Sequence, residues 1–260
     1  MSNSMFRREF AISGAGIVSA SVAGCSSFGG PNISEEEYPA GTSQDGITDP
    51  ATIVGSTRTA LANNGYDVRL EHDGTTLRFH SGFKDNRHYR KVGDSDFANE
   101  VYFDGETLYI KYETHSGYEY YTGKTERSFS DFHASNSYYR EDLPGDEEIL
   151  WANIIKHIRG YYLRNILEIS EFTPVQTTDR SGRPVVEFKI ESVSQNAFDD
   201  TVAESSGSLL VDPESIARSV DIKVKTSSSG ETGIAENRSY QIQELGSTAV
   251  SRPSWVEEEF

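Results

Sequence analysis

At 260 residues, with 35% hydrophobic and 25% charged side chains, the chain carries enough apolar material for a packed core and suits one large domain or two small ones. A formal net charge of −17 excludes nucleic-acid backbones and anionic membrane faces as default partners, and such acidity with few lysines is the composition of a protein kept soluble in concentrated salt. The single cysteine, Cys25, excludes an intramolecular disulfide, as expected of a domain that folds in a reducing cytosol before export.

Residues 1–25 read as a targeting segment. Arg7 and Arg8 stand side by side ahead of Phe10, and residues 11–24 then run without a charge, rich in Gly, Ala and Ser. That run is shorter than the ~20 apolar residues a bilayer-spanning helix needs. It closes on Val22-Ala23-Gly24-Cys25. The segment resembles a lipoprotein signal of the twin-arginine type. The resemblance implies transport by the twin-arginine translocase, cleavage before Cys25 and a lipid on that cysteine. It also implies residence at the outer, extracytoplasmic face of the cell membrane, held by the lipid. Residues 26–48 follow with Gly, Pro, Ser and Glu and few core residues, the composition of a disordered tether. Asn32 and Asn237 open glycosylation sequons of a kind that arises easily by chance.

From residue 49 to the end, a single domain is expected. Asp49-Pro50 predicts a helix N-cap followed by proline at the first helical position. Ile53, Thr57, Ala60 and Leu61 would point inward, and the helix would stop near Gly65. The period then changes to two. Val68 and Leu70 alternate with charged neighbours, Asp73-Gly74 marks a hairpin, and Leu77 and Phe79 continue the pattern. Val101 to Phe103, a second Asp-Gly pair at 104–105, and Leu108, Ile110 and Tyr112 repeat it. A long central helix is predicted over 146–170, with Trp151, Ile154, Ile155, Ile158, Tyr162, Ile166 and Ile169 on one stripe, preceded by a shorter one near 128–139. Strands then resume over 172–177, followed by a turn at Ser181-Gly182, around Val186 to Ile190, at 209–211, around Val220 to Val224 and at Tyr240 to Ile242. On the order of ten or eleven amphipathic strands around a helical middle predict an α+β fold: a large twisted antiparallel sheet with helices on one face.

An N-terminal helix, meandering strands, central helices and a second run of strands together resemble the Lol-type lipoprotein carriers and related mycobacterial lipoproteins. That resemblance implies an unclosed half-barrel whose concave face holds acyl chains and is plugged by helices. The C-terminal Ser251-Arg252-Pro253-Ser254-Trp255-Val256 and the tyrosine-rich strands also resemble lipoproteins of halophilic archaea.

Signatures of catalysis are missing: there is no His-Glu-x-x-His, Gly-x-Ser-x-Gly or phosphate-binding loop. Gly93-Asp94-Ser95 sits in a polar stretch without the context of a nucleophile motif, and Asp94, Asp96 and Glu100 lack the ligand spacing of a calcium loop. His72, His80 and His88 fall on successive strands but read as ordinary histidines. No catalytic residue, metal or cofactor is expected. The aromatic content is what points to a role. Tyr112, Tyr120, Phe132, Trp151, Ile155, Ile158 and Tyr162 are the candidates to line a pocket for a hydrophobic ligand, because apolar ligands need broad apolar walls. The same aromatics serve equally to pack strands against helices. The expectation is therefore a non-catalytic lipoprotein that binds or carries a lipid-like ligand, with a structural or interaction protein of the cell surface, its core filled, as the alternative.

Overall fold

Beyond Gly65 the sequence is written largely in period-two alternation, and most of the described residues there go into one sheet. The computed structural model describes residues 33–72, 75–82, 87–93, 99–124, 160–198, 200–227, 235–246 and 248–260, all within the compact unit Pro31–Phe260. A first meander runs through β3 (Gly65–His72), β4 (Thr75–Gly82), β5 (Arg87–Val92), β6 (Asn99–Phe103), β7 (Thr107–Thr114) and β8 (Gly117–Lys124). A second runs through β9 (Ser170–Arg180), β10 (Arg183–Val193), β11 (Thr201–Val211), β12 (Ala217–Ser227) and β13 (Ala235–Gly246).

The two meanders join at their inner ends. The order is β8-β7-β6-β5-β4-β3-β13-β12-β11-β10-β9, antiparallel throughout, with Leu70 of β3 opposite Tyr240 of β13. The last strand of the chain thus closes against the first of the large sheet. The edges β8 and β9 do not pair, so the eleven-stranded sheet is open.

Helix α1 (Pro50–Asn63) starts where its cap requires. Asp49 Oδ1 accepts from the amides of Ala51 and Thr52 at 3.0 and 3.3 Å, and Oδ2 accepts from Thr52 Oγ1 at 2.6 Å. Gly65 opens β3 rather than capping the helix. Thr57 ties helix to sheet: its hydroxyl donates to Ile53 O at 2.7 Å and accepts from the amide of Ala217 on β12 at 2.9 Å. Helix α2 (Tyr161–Ile169) runs directly into β9. Its first neighbour, Gly160, is left-handed at φ 77°, so a helix does not run unbroken across that position as the uninterrupted apolar stripe predicted. The rest of the expected long helix (146–159) and the shorter one (128–139) lie outside the described residues.

Helices α1 and α2 pack on one face of the sheet, called the inner face below. Ile53, Val54 and Leu61 of α1 and Leu163, Ile166 and Leu167 of α2 join Leu70, Phe79, Phe103, Phe188, Leu209, Val220 and Ile222 in one buried cluster. Each such side chain contributes roughly 1.5–3 kcal/mol by leaving water. The outer face carries a smaller cluster. There Trp255 and Val256 of a short C-terminal helix, α3 (Ser254–Glu259), and Val250 pack on Tyr102, flanked by Tyr89, Tyr109 and Tyr120.

Part of the stretch expected to be a tether is built into the domain. Residues 33–48 hold a capped 3-10 turn at Glu35–Glu37 and a small hairpin of β1 (Thr42–Ser43) and β2 (Gly46–Ile47). Ile33 and Ile47 pack against the inner-face core. Gly46, at φ 108°, lies so close to β9 that a Cβ there would stand 1.9 Å from Phe172 O. Backbone proximity adds to the packing of Ile47 in attaching this hairpin, and composition does not report such proximity.

Candidate ligand-binding face

Residues directly opposite one another in an antiparallel pair share a face. The registers of five successive pairs align Val68, Phe79, Arg90, Val101, Ile110 and Tyr121 in one row across β3 to β8 on the inner face. Exposure rises along it. Val101 is 6% exposed, Ile110 is half-buried, and Tyr121 on the edge strand is 51% exposed. Tyr112, two positions beyond Ile110 and therefore on the same face, is 52% exposed. The apolar lining of the core thus runs on past the helices to the free edge, ending in two half-exposed tyrosines. The Tyr121 hydroxyl donates to Glu119, which raises its pKa and holds the ring's orientation.

The residues expected to line a pocket are distributed as follows. Tyr112 and Tyr162 lie on the inner face, with Tyr162 half-buried on α2 and edge-on to His72 at a centroid distance of 5.9 Å. Tyr120 belongs to the outer face, opposite Lys111 and 6.1 Å from the Trp255 ring, because side chains alternate along β8. Phe132, Trp151, Ile155 and Ile158 lie outside the described residues, as do Arg7, Arg8 and Cys25. Tyr121, an equal member of the inner strip, belongs to the same tyrosine-rich stretch, but only the register tells it from Tyr120.

The outer face is polar and organised around Glu100. Its Oε2 accepts from Tyr89 Oη at 2.6 Å and from Trp255 Nε1 at 3.0 Å, and its Oε1 lies 3.5 Å from Lys111 Nζ. Burial first, and then this carboxylate, push the Tyr89 phenol far above its usual range. Glu100 thus anchors the C-terminal helix instead of serving a calcium loop; Asp94 and Asp96 lie outside the described residues. Arg69, Arg78 and Lys91 continue the Glu100 row toward the sheet centre. Asp67 takes Arg78 in a two-pronged pair at 3.1 and 2.5 Å, and Glu71 takes Arg69 at 2.8 Å. These cations border a polar depression of about 420 Å³. His72 and His88 face inward and His80 outward, and among the described residues no group of three side chains is placed to hold a metal ion.

These features define a class: an α+β domain on an open antiparallel sheet, with two helices on one face, a short third on the other and an apolar strip reaching the edge strand β8. No helix among the described residues is long and apolar enough to cross a membrane. No family model and no curated protein matches the chain. Among solved structures it is similar to MucB, at 14% identity and a TM-score of 0.32, with 78% of this chain and 60% of MucB covered. It is also similar to LprF from Mycobacterium bovis, at 10% identity and a TM-score of 0.33, with 78% of this chain and 95% of LprF covered. The matched span is thus less than two thirds of MucB's own length. Both TM-scores are too low for either likeness to bear on function.

Proposed function

We propose that this chain is an exported lipoprotein, anchored through a lipid on Cys25 at the outer face of the cell membrane, whose domain binds or carries a hydrophobic, lipid-like ligand without acting on it chemically. Arg7 and Arg8 address it to the twin-arginine translocase. The observation that carries the ligand reading is the inner-face strip. Val101, Ile110, Tyr112 and Tyr121 extend the core lining to an edge strand where nothing in the described fold requires exposed aromatics. Apolar ligands are taken by such surfaces, with a few polar groups fixing their orientation.

Native mass spectrometry of the mature protein, purified from its own membrane at the salt in which it lives, tests both halves. The expected result is a lipid mass on Cys25 together with a second, non-covalent lipid released on denaturation. An unmodified Cys25 overturns the anchor. A lipidated chain with no bound lipid favours the second reading, a cell-surface interaction protein with a filled core. That reading draws on the continuous packing of the described inner face and on two depressions, of about 420 and 560 Å³, that are bordered mainly by polar side chains.

A further inference from the structure

Arg90 sits in the middle of the inner-face row, directly opposite Phe79 on one side and Val101 on the other, both core residues. Its Nε is buried without a hydrogen-bond partner. Among the described residues no carboxylate pairs with it, and the Tyr162 phenol on α2 is the ionisable group that acts on it. Burial brings its pKa down to about 10, with the Tyr162 phenol acting in the opposite direction. Arg238, on the same face, shares a buried Nε without a hydrogen-bond partner, but its Nη atoms are engaged. One of its Nη atoms lies 3.0 Å from Glu236, the other donates to Asn165 Oδ1 at 3.1 Å, and the guanidinium lies 5.4 Å from the Phe198 ring centroid. The side chain of Arg90 as a whole is half-buried, and a charge drawn partly out of water with no carboxylate beside it among the described residues costs stability unless a ligand supplies the counter-charge. The two arginines differ in counter-charge: Glu236 stands beside Arg238, and among the described residues no carboxylate stands beside Arg90.

Resting on the ligand reading above, we propose that Arg90 receives the anionic head group of the ligand, which is therefore a long-chain carboxylate or a similar anionic amphiphile. Its apolar tail lies across Val101 and Ile110 toward Tyr112 and Tyr121. Three strand spacings of ~4.8 Å set the Arg90 and Tyr121 backbones ~14 Å apart, a span that an acyl chain bridges while staying on apolar side chains. The planar guanidinium fork suits a carboxylate, whose two oxygens it can hold at once, and the apolar surroundings leave that pair little screened.

The test compares dodecanoate with dodecanol as probes of the full chain and of its Arg90→Leu and Arg90→Lys variants, reading affinity and unfolding temperature. The expected result is at least a tenfold preference for the carboxylate over the alcohol in the unsubstituted chain. Arg90→Lys keeps part of that preference. Arg90→Leu abolishes it, still binds the alcohol, and unfolds at the same or a higher temperature because a half-buried charge with no carboxylate beside it among the described residues has gone. Equal binding of acid and alcohol by the unsubstituted chain overturns the role of Arg90 and leaves the hydrophobic-ligand reading standing. Failure to bind either probe overturns both. An Arg90→Leu chain that keeps the preference, unfolds at a lower temperature or does not fold assigns Arg90 to the structure and overturns the proposal.

Discussion

Trp255 reaches Glu100 across 155 positions of sequence, and with Val250 and Val256 it fixes the C-terminal helix on the outer face. The indole is buried on Tyr102 and its Nε1 satisfies one oxygen of a carboxylate that is itself buried. Trp255→Ala removes a large buried side chain and a donor together and is expected to destabilise by ~3–5 kcal/mol in urea unfolding. Trp255→Phe keeps most of the packing but leaves Glu100 short of one donor, for a smaller loss of ~1–3 kcal/mol. Tyr240 gives the opposite case. Its hydroxyl is buried on the inner face without a hydrogen bond among the described residues. Tyr240→Phe therefore removes an unsatisfied polar group and is expected to be neutral or to stabilise by up to ~1 kcal/mol. Neither prediction was available from sequence. Trp255 stands in a short tail with no periodicity, and the fate of one tyrosine hydroxyl depends on neighbours that only the register supplies.

At the scale of elements, legibility follows how local the signal is. The start of α1 was readable because Asp49 and Pro50 act on amides two and three residues away. The hairpin between β9 and β10 was readable because Ser181-Gly182 takes left-handed geometry at φ 55° and 79°. Strand β5 was not. Its sequence, Arg-His-Tyr-Arg-Lys-Val, has no apolar alternation, and its place comes from pairing with β4 and β6. The candidate head-group residue Arg90 was hidden with it. The β1–β2 hairpin was hidden for another reason, since it docks through Gly46 against Phe172 O. Gly46→Ala combines a disfavoured φ with that clash and is expected to cost more than ~1 kcal/mol. Hydrogen exchange is the sharper readout. Amides of Thr42 to Ile47 should lose protection while those of β12 and β13 keep theirs, because the large sheet does not depend on the hairpin. Equal loss of protection everywhere would show that the hairpin and the sheet unfold as one unit.

For the whole molecule, buried phenols set an upper pH limit on stability. Tyr66 and Tyr240 are buried in the inner-face core, and burial raises both phenols above their ordinary value. In the unfolded chain they ionise near pH ~10, whereas the folded chain keeps them protonated. Above that pH the folded state binds more protons, so their contribution is complete below pH ~10 and is lost as the pH climbs. The loss is ~1.4 kcal/mol per pH unit for each tyrosine until the folded groups titrate. Groups displaced the other way act on the acid side. Burial lowers the pKa of His80, and hydrogen bonds from Thr52 and Ser34 lower those of Asp49 and Glu37. A folded histidine that resists protonation loses stability below pH ~6.5, and carboxylates held ionised lose it below pH ~4. Stability is therefore expected to plateau between about pH 6.5 and 10 and to fall on both sides, the alkaline limb steepened by a net charge already at −17. Denaturant unfolding as a function of pH checks the shape, and Tyr240→Phe checks the cause: the variant should keep the acid limb and lose ~1.4 kcal/mol per pH unit of the alkaline slope. If the slope is unchanged in the variant, generalised charge repulsion governs the alkaline limb, and added salt should then flatten it.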